Sequence, residues 1–256
     1  MSSFVRAADL HHVDSSATTP DLRGTKKGLS ADEIFSNLFV INFAGHDTTA
    51  NTLAFAMLLL ASRPDVQAWL AAEIAFVTGD RPLEACDYKE LFPQLKRCRA
   101  VVYETLRLYP PVPALPSITC NGTQELNIGD RTLNIPEGFN LTANLRAMQI
   151  STSAPPIDSP SSNHIAHEQF IQPKKGTFFP WGDGPQVCPG KKFAEVEGVA
   201  VLASLFKAHR ISVKKERGES DEHLRKRVEY CLNDVDLEML LRLRDADRVM
   251  LKCEEA

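Results

Sequence analysis

Trp181-Gly182-Asp183-Gly184-Pro185-Gln186-Val187-Cys188-Pro189-Gly190 is the stretch on which the reading of this chain turns. Glycines and prolines crowd a single thiol. Glycine lets a backbone adopt positive φ and approach a flat ligand closely. An apolar-striped helix is expected to begin at about Gly190, so its positive dipole end and free N–H groups fall beside the sulfur. Such a cysteine has three readings: a structural thiol, a nucleophile, or a metal ligand tuned by the helix end. No base sits at a spacing that a nucleophile would obviously use.

Working outward, residues 190–207 form a strongly amphipathic pattern, with Phe193, Val196, Val199, Ala200, Ala203 and Phe206 on one expected buried stripe. Upstream, Glu104-Thr105-Leu106-Arg107 places an acid and a base three residues apart on one helix face, within pairing reach. A solvated pair is the ordinary reading. The apolar flanks Val101, Val102, Leu106 and Leu108 point instead to a buried, geometrically specific one. Further upstream, Ala44-Gly45-His46-Asp47-Thr48-Thr49 interrupts a helical apolar pattern with polar residues. Thr48 or Thr49 can bond back to a carbonyl and bend the helix, and an acid beside a hydroxyl can relay protons.

Around these motifs the chain reads as mainly helical with a small β component. Ser30-Ala31-Asp32-Glu33 is a capping box that opens a helix over residues 31–62. Pro64 starts a second helix that stops at Gly79. A third is expected over residues 93–108, where Pro110 and Pro111 break it. Residues 117–148 read as short strands, with 140–148 extended, and residues 151–163 as loop. Residues 214–227 mix both charge signs densely and read as solvated surface. Residues 237–243 and 249–253 are expected to close the chain as a hairpin. The domain expectation is a flexible segment over 1–29 followed by one incomplete domain over 30–256.

Composition excludes several classes. A net charge of −4 argues against a nucleic-acid surface. The longest apolar run, residues 53–61, falls well short of the roughly 20 residues a bilayer span needs. Cys86, Cys98, Cys120, Cys188, Cys231 and Cys253 are widely and irregularly spaced, so reduced, mostly buried thiols of an intracellular protein are expected rather than a disulfide framework.

Taken in order, the three motifs make the chain resemble the cytochrome P-450 superfamily, in the style of its fungal microsomal members. Residues 44–49 are similar to the oxygen-activation motif of the family's long central helix, 104–107 to its E-x-x-R, and 181–190 to its haem-binding loop. The resemblance implies the C-terminal half of the cytochrome P-450 fold and a monooxygenase that inserts one oxygen atom from O2 into a small apolar organic substrate, with secondary metabolism as the setting. It implies haem b, with Cys188 as the axial thiolate on iron and with Trp181, Gly182, Gln186 and Gly190 in the cofactor loop. Asp47 and Thr48 would supply protons for oxygen activation, Glu104 and Arg107 would brace the haem-side core, and Val112, Ala114 and Leu115 would touch substrate. An NADPH-dependent reductase would supply electrons, with Lys191 and Lys192 placed to face it.

Departures from the family are also legible. Trp181 stands where the family usually has Phe. Gln186 stands where Arg usually bonds a haem propionate, so the charge-assisted part of that bond is lost. In His167-Glu168-Gln169-Phe170, Gln169 stands where an Arg usually joins Glu104 and Arg107. The family's microsomal members are anchored in the endoplasmic reticulum by a segment expected to be missing here. These departures keep open a second class: a truncated, non-catalytic relative that binds haem weakly or not at all.

Overall fold

The computed structural model describes residues 29–151, 170 and 176–256. The expected loops over 1–28 and 152–163, and Gln169 with its neighbours 167–168, lie outside the described residues. The chain divides into two compact units, one ending at Asp47 and one beginning at Thr48.

Helix α1 spans Ala31–Ala61 and opens on the expected capping box. Ser30 N donates to Glu33 Oε2 at 2.7 Å, and Glu33 N donates to Ser30 Oγ at 3.3 Å. The helix runs unbroken through residues 44–49. Its burial is confined to the later part, including Thr52, Phe55, Leu58 and Leu60, while Phe35, Phe39 and Phe43 are exposed.

In the second unit, α2 spans Pro64–Thr78, and Gly79 closes it with an N–H bond to the Ala75 carbonyl at 2.8 Å. A 3-10 turn at Leu83–Ala85 and a short helix α3, Tyr88–Leu91, follow; neither is legible in the sequence pattern. Helix α4, Lys96–Leu108, begins three residues later than expected. Leu95 at its N-cap offers no side-chain bond. The cap comes from α2 instead. Glu73, fully buried, accepts Arg97 N at 2.8 and 2.9 Å through its two oxygens, and Cys98 N at 3.2 Å. A carboxylate at a helix N-terminus satisfies orphan N–H groups and opposes the dipole's positive end.

Among the described residues, the β component includes four two-stranded antiparallel ladders. β1, Ala114–Ile118, pairs with β4, Asn140–Asn144; β2, Gln124–Ile128, pairs with β3, Arg131–Ile135. The expected extended piece over 140–148 is half correct. Asn144 Oδ1 accepts Ala147 N at 2.9 Å and turns the chain into helix α5, Leu145–Ser151. Helix α6 spans Lys191–Ala208. β5, His209–Val213, follows, then helix α7, Asp221–Asn233, which begins within the charged stretch read as solvated surface; residues 214–227 are mostly exposed, as expected. Ser220 caps α7 by accepting His223 N at 3.3 Å, and Val228, Cys231 and Leu232 face inward. β6, Val235–Asp236, pairs with β7, Arg242–Leu243, whereas β8, Leu251–Glu255, pairs back onto β5. The expected closing hairpin between 237–243 and 249–253 is therefore replaced by two separate ladders.

The core of this unit gathers the end of α1 with α2, α4, α6, β5 and α7. Leu70, Ile74, Leu202 and Phe206 are fully buried, each contributing about 1.5–3 kcal/mol of burial. Gln67 ties three elements, donating to Leu60 O at 2.8 Å and Ile211 O at 2.7 Å and accepting Ile211 N at 3.0 Å. The α6 stripe differs from expectation: Phe193 and Ala200 are exposed, and Glu195, Gly198 and Leu202 face inward beside Val199 and Phe206. Gly198 is needed there because a Cβ would lie 3.0 Å from Val102 Cγ2 on α4. The cysteines are all free, but only Cys98 and Cys231 are buried, so the expectation of mostly buried thiols fails. Among the described residues no helix is long and apolar enough to cross a membrane.

Candidate active site

The segment from Phe178 to Gly190 closes on itself before α6 begins. Gly182 N donates to Phe179 O at 3.0 Å, Val187 N to Gly184 O at 3.2 Å, and Cys188 N to Trp181 O at 2.8 Å. Gly184–Gln186 forms one 3-10 turn, led by Asp183, whose Oδ1 accepts Gly184 N at 2.8 Å. Gly182 and Gly184 take φ of +73° and +76°, a region that strains any other residue type here. The sequence folds this way because each reversal carries a glycine and the 3-10 turn carries Pro185.

Cys188 thereby ends a closed loop and stands immediately before an 18-residue helix. Its side chain is exposed and forms no disulfide. Lys191 and Lys192 open α6, adding positive charge near the sulfur in sequence. Each ammonium lies over an aromatic face: Lys191 Nζ is 5.3 Å from the Trp181 ring centroid and Lys192 Nζ is 3.8 Å from that of Phe92.

The β1 strand comes against this loop. A Cβ at Gly182 would sit 4.0 Å from Leu115 Cδ1 and 4.0 Å from Gln186 O, so the missing side chain leaves space that these groups border. Val112, Ala114 and Leu115 are all partly buried. A Cβ at Gly190 would lie 3.8 Å from Cys188 Sγ, so the helix start stays slim beside the sulfur. Gln186 is exposed and neutral.

On α4, Arg107 grips Glu104 with both arms of its guanidinium: Nε to Oε2 and Nη2 to Oε1, each 2.7 Å. The side chains are 20% and 34% exposed, so this is a half-buried fork rather than a solvated surface pair. The Glu104 hydrogen bond raises the Arg107 pKa against an opposing effect of burial. Arg107 Nη1 also reaches Gln149 O at 3.3 Å. Gln149, on α5 and fully buried, is the residue that sequence reasoning missed. Its Nε2 donates to Leu106 O at 3.3 Å, and its Oε1 accepts Phe179 N at 3.1 Å, at the head of the cysteine segment. Its partners lie 43 and 30 residues away, so no local pattern marks it.

Asp47 and Thr48 are consecutive residues of α1, on either side of the unit boundary. Asp47 Oδ1 lies 2.9 Å from His46 Nδ1, and the Thr48 carbonyl accepts the Thr52 hydroxyl at 2.9 Å. The structure thus brings together Cys188, Trp181, Gly182, Gln186 and Leu115 as one neighbourhood, and joins Glu104 and Arg107 to it through Gln149.

A haem suits the donor set. A free, exposed thiol is a soft ligand for iron, and the glycines at 182 and 190 keep its surroundings open. Among the described residues no group of three or more His, Cys, Asp or Glu side chains could hold a bare metal ion.

The family model described as Cytochrome P450 matches residues 11–228. A phomenoic acid biosynthesis cluster cytochrome P450 monooxygenase of Leptosphaeria maculans is 31% identical over 240 residues, covering 82% of this chain and 40% of its own length. Cytochrome P450 monooxygenase 124 of Postia placenta is 33% identical over 205 residues, covering 78% of this chain and 39% of its own length. The chain therefore spans about two fifths of these curated relatives. A cytochrome P450 crystal structure superposes with a TM-score of 0.66 at 20% identity, over 98% of this chain and 55% of that one, which shows a shared fold.

Proposed function

The chain belongs to the cytochrome P450 family, and from that premise we propose that residues 30–256 are an incomplete haem-thiolate monooxygenase domain acting on a small apolar organic substrate. The observation that carries the reading is Cys188, a free and exposed thiol that ends a closed glycine loop at the start of a long helix. Electrons come from an NADPH-dependent reductase. The biosynthesis-cluster name of the Leptosphaeria relative favours a place in secondary metabolism.

When bound, haem b supplies the activation of dioxygen. The protein's own residues position and protect. Cys188 Sγ would hold the haem iron as its thiolate ligand. Gln186 offers its amide to a cofactor carboxylate, a neutral bond weaker than a charge-assisted one. Trp181, Gly182 and Gly190 shape the cofactor side of the loop. Glu104 and Arg107 hold the end of α4 rigid through their bidentate pair. Asp47 and Thr48 hold and pass a proton, the carboxylate as acceptor and the hydroxyl as a relay. Val112, Ala114 and Leu115 present apolar surface to the substrate.

The test is the reduced, carbon monoxide-bound spectrum of the chain expressed with haem supply. A thiolate-type Soret shift is expected, and Cys188→Ala should abolish it. A folded chain without that shift would establish the competing reading, a non-catalytic relative that binds haem weakly or not at all, which the neutral Gln186 favours. Thr48→Ala should uncouple oxygen consumption from product formation; unchanged coupling removes Thr48 from the relay.

A further inference from the structure

Glu195 is a carboxylate on the inward face of α6, only 8% exposed, one turn beyond the cysteine loop. Its neighbours on that face are Gly198, Val199 and Leu202. A carboxylate so placed is destabilising unless a good partner meets it. The partner is Tyr103 on α4, itself 8% exposed, whose hydroxyl donates to Glu195 Oε1 at 2.6 Å. Burial, and then the Glu195 bond, push the Tyr103 phenol upward from its ordinary pKa, so it remains a donor.

The Tyr103 ring is the wall against which the loop rests. It stacks on Phe178 with centroids 5.1 Å apart and planes 17° from parallel, and it meets Trp181 edge-on at 5.4 Å. The Trp181 carbonyl accepts the Cys188 N–H at 2.8 Å. A chain of direct contacts therefore runs from Glu195 through Tyr103 and Trp181 to the backbone of Cys188. Aromatic packing alone leaves a ring free to slide and tilt; one short bond at its far end fixes it.

We propose that Tyr103 and Glu195 are positioning residues for Cys188: their bond holds the Tyr103 ring as a fixed wall for residues 178–188 and so keeps the sulfur in one place. The ligand part of this inference rests on the proposed role of Cys188, whereas the loop-holding part does not.

The experiment uses the full chain with Trp69→Phe, which leaves Trp181 as the single tryptophan. Three variants are compared: Tyr103→Phe, Glu195→Leu, and Glu195→Gln, which keeps an acceptor oxygen. In the haem-free chain, acrylamide quenching of Trp181 should rise about twofold or more in Tyr103→Phe and Glu195→Leu, and stay near the parent value in Glu195→Gln. In the haem-loaded chain, the first two should lose a larger share of the thiolate-type carbon monoxide band to the shifted, thiolate-free band, with Glu195→Gln again rescued. A merely structural loss would lower thermal stability without changing that band ratio at temperatures where the protein is folded. Quenching unchanged in both disrupting variants overturns the proposal. Should either variant fail to fold, the Glu195→Gln chain decides alone, because quenching as high as that of an unfolded control refutes the rescue. If quenching responds as expected but the parent shows no thiolate band, the loop wall stands and the haem assignment fails.

Discussion

Replacing Gln149 with leucine isolates one side chain that joins α4 to the cysteine segment. The volume is nearly kept, so no large cavity forms. The bond from Arg107 goes to the Gln149 backbone carbonyl and survives the change, leaving the Glu104–Arg107 fork in place. What is lost is the bond to Leu106 O at 3.3 Å and the bond from Phe179 N at 3.1 Å. A buried backbone group left without a partner costs about 1–3 kcal/mol. Both bonds are long, which puts each near the lower end, so the sum is about 2–3 kcal/mol. For a chain of this size, 1 kcal/mol moves the melting temperature by about 2–4 °C, giving a drop of about 4–12 °C. Thermal unfolding followed by circular dichroism measures it, and amide exchange at Phe179 should accelerate beyond what the global loss explains. Gln149→Glu should be worse than leucine, since it keeps the acceptor for Phe179 N but buries a charge against the Leu106 carbonyl. A drop below about 2 °C with unchanged exchange at Phe179 would refute the claim that this side chain ties the two segments.

Two other perturbations have signs fixed by geometry. Gly198→Ala gains about 1 kcal/mol of helix propensity but forces Val102, a stiff β-branched residue, to give way at a 3.0 Å contact, an overpacking cost of about 1–3 kcal/mol. A net loss of stability is expected by thermal unfolding, and that loss should largely vanish when the change is made in a Val102→Ala background; an additive double variant would show that the contact is not the cause. Glu219 is held at about 2 by Arg227, which donates at 2.8 and 2.7 Å, and then by the Glu216 N–H. A lowered carboxylate pKa stabilises the fold above the unfolded value, about 4.3, and that contribution fades as pH falls toward 2. The urea midpoints of the parent and Glu219→Gln should therefore differ near pH 7, begin to close below about pH 4 and converge only as pH falls through about 2; a gap independent of pH would exclude the Glu219 charge as its source.

How far the sequence speaks depends on where its signals sit. The opening of α1 is legible because both halves of its cap lie within four residues, at Ser30 and Glu33. Pro64 and Gly79 bound α2 for the same local reason. The cysteine loop is legible because its reversals require glycine at 182 and 184. By contrast, α7 hides because its inward residues Val228, Cys231 and Leu232 lie beyond a dense run of charge. The strand expected through Leu145 ends early because Asn144 spends its side chain on a cap, a role that an isolated Asn does not announce. Phe193 misleads because hydrophobic period alone does not say which side of a helix has a neighbour; Gly198 and Glu195 mark the buried side of α6 through their fit to Val102 and Tyr103. The pairing of β8 with β5 joins segments about forty residues apart, so the nearer hairpin was the natural but incorrect inference.

The borrowed cap of α4 bears on the order in which the chain assembles. Glu73 emerges from the ribosome before the helix whose first turn it completes, 24 residues later. The residues flanking α4 do not provide that cap, because Leu95 has no side-chain acceptor. Helix nucleation is the costly step in making any isolated helix. Here the nucleus includes a carboxylate from another helix, so the segment carrying Tyr103, Glu104 and Arg107 gains its full first turn only on docking against α2. The first turn of α4 and its tertiary contact with α2 then arise in a single event.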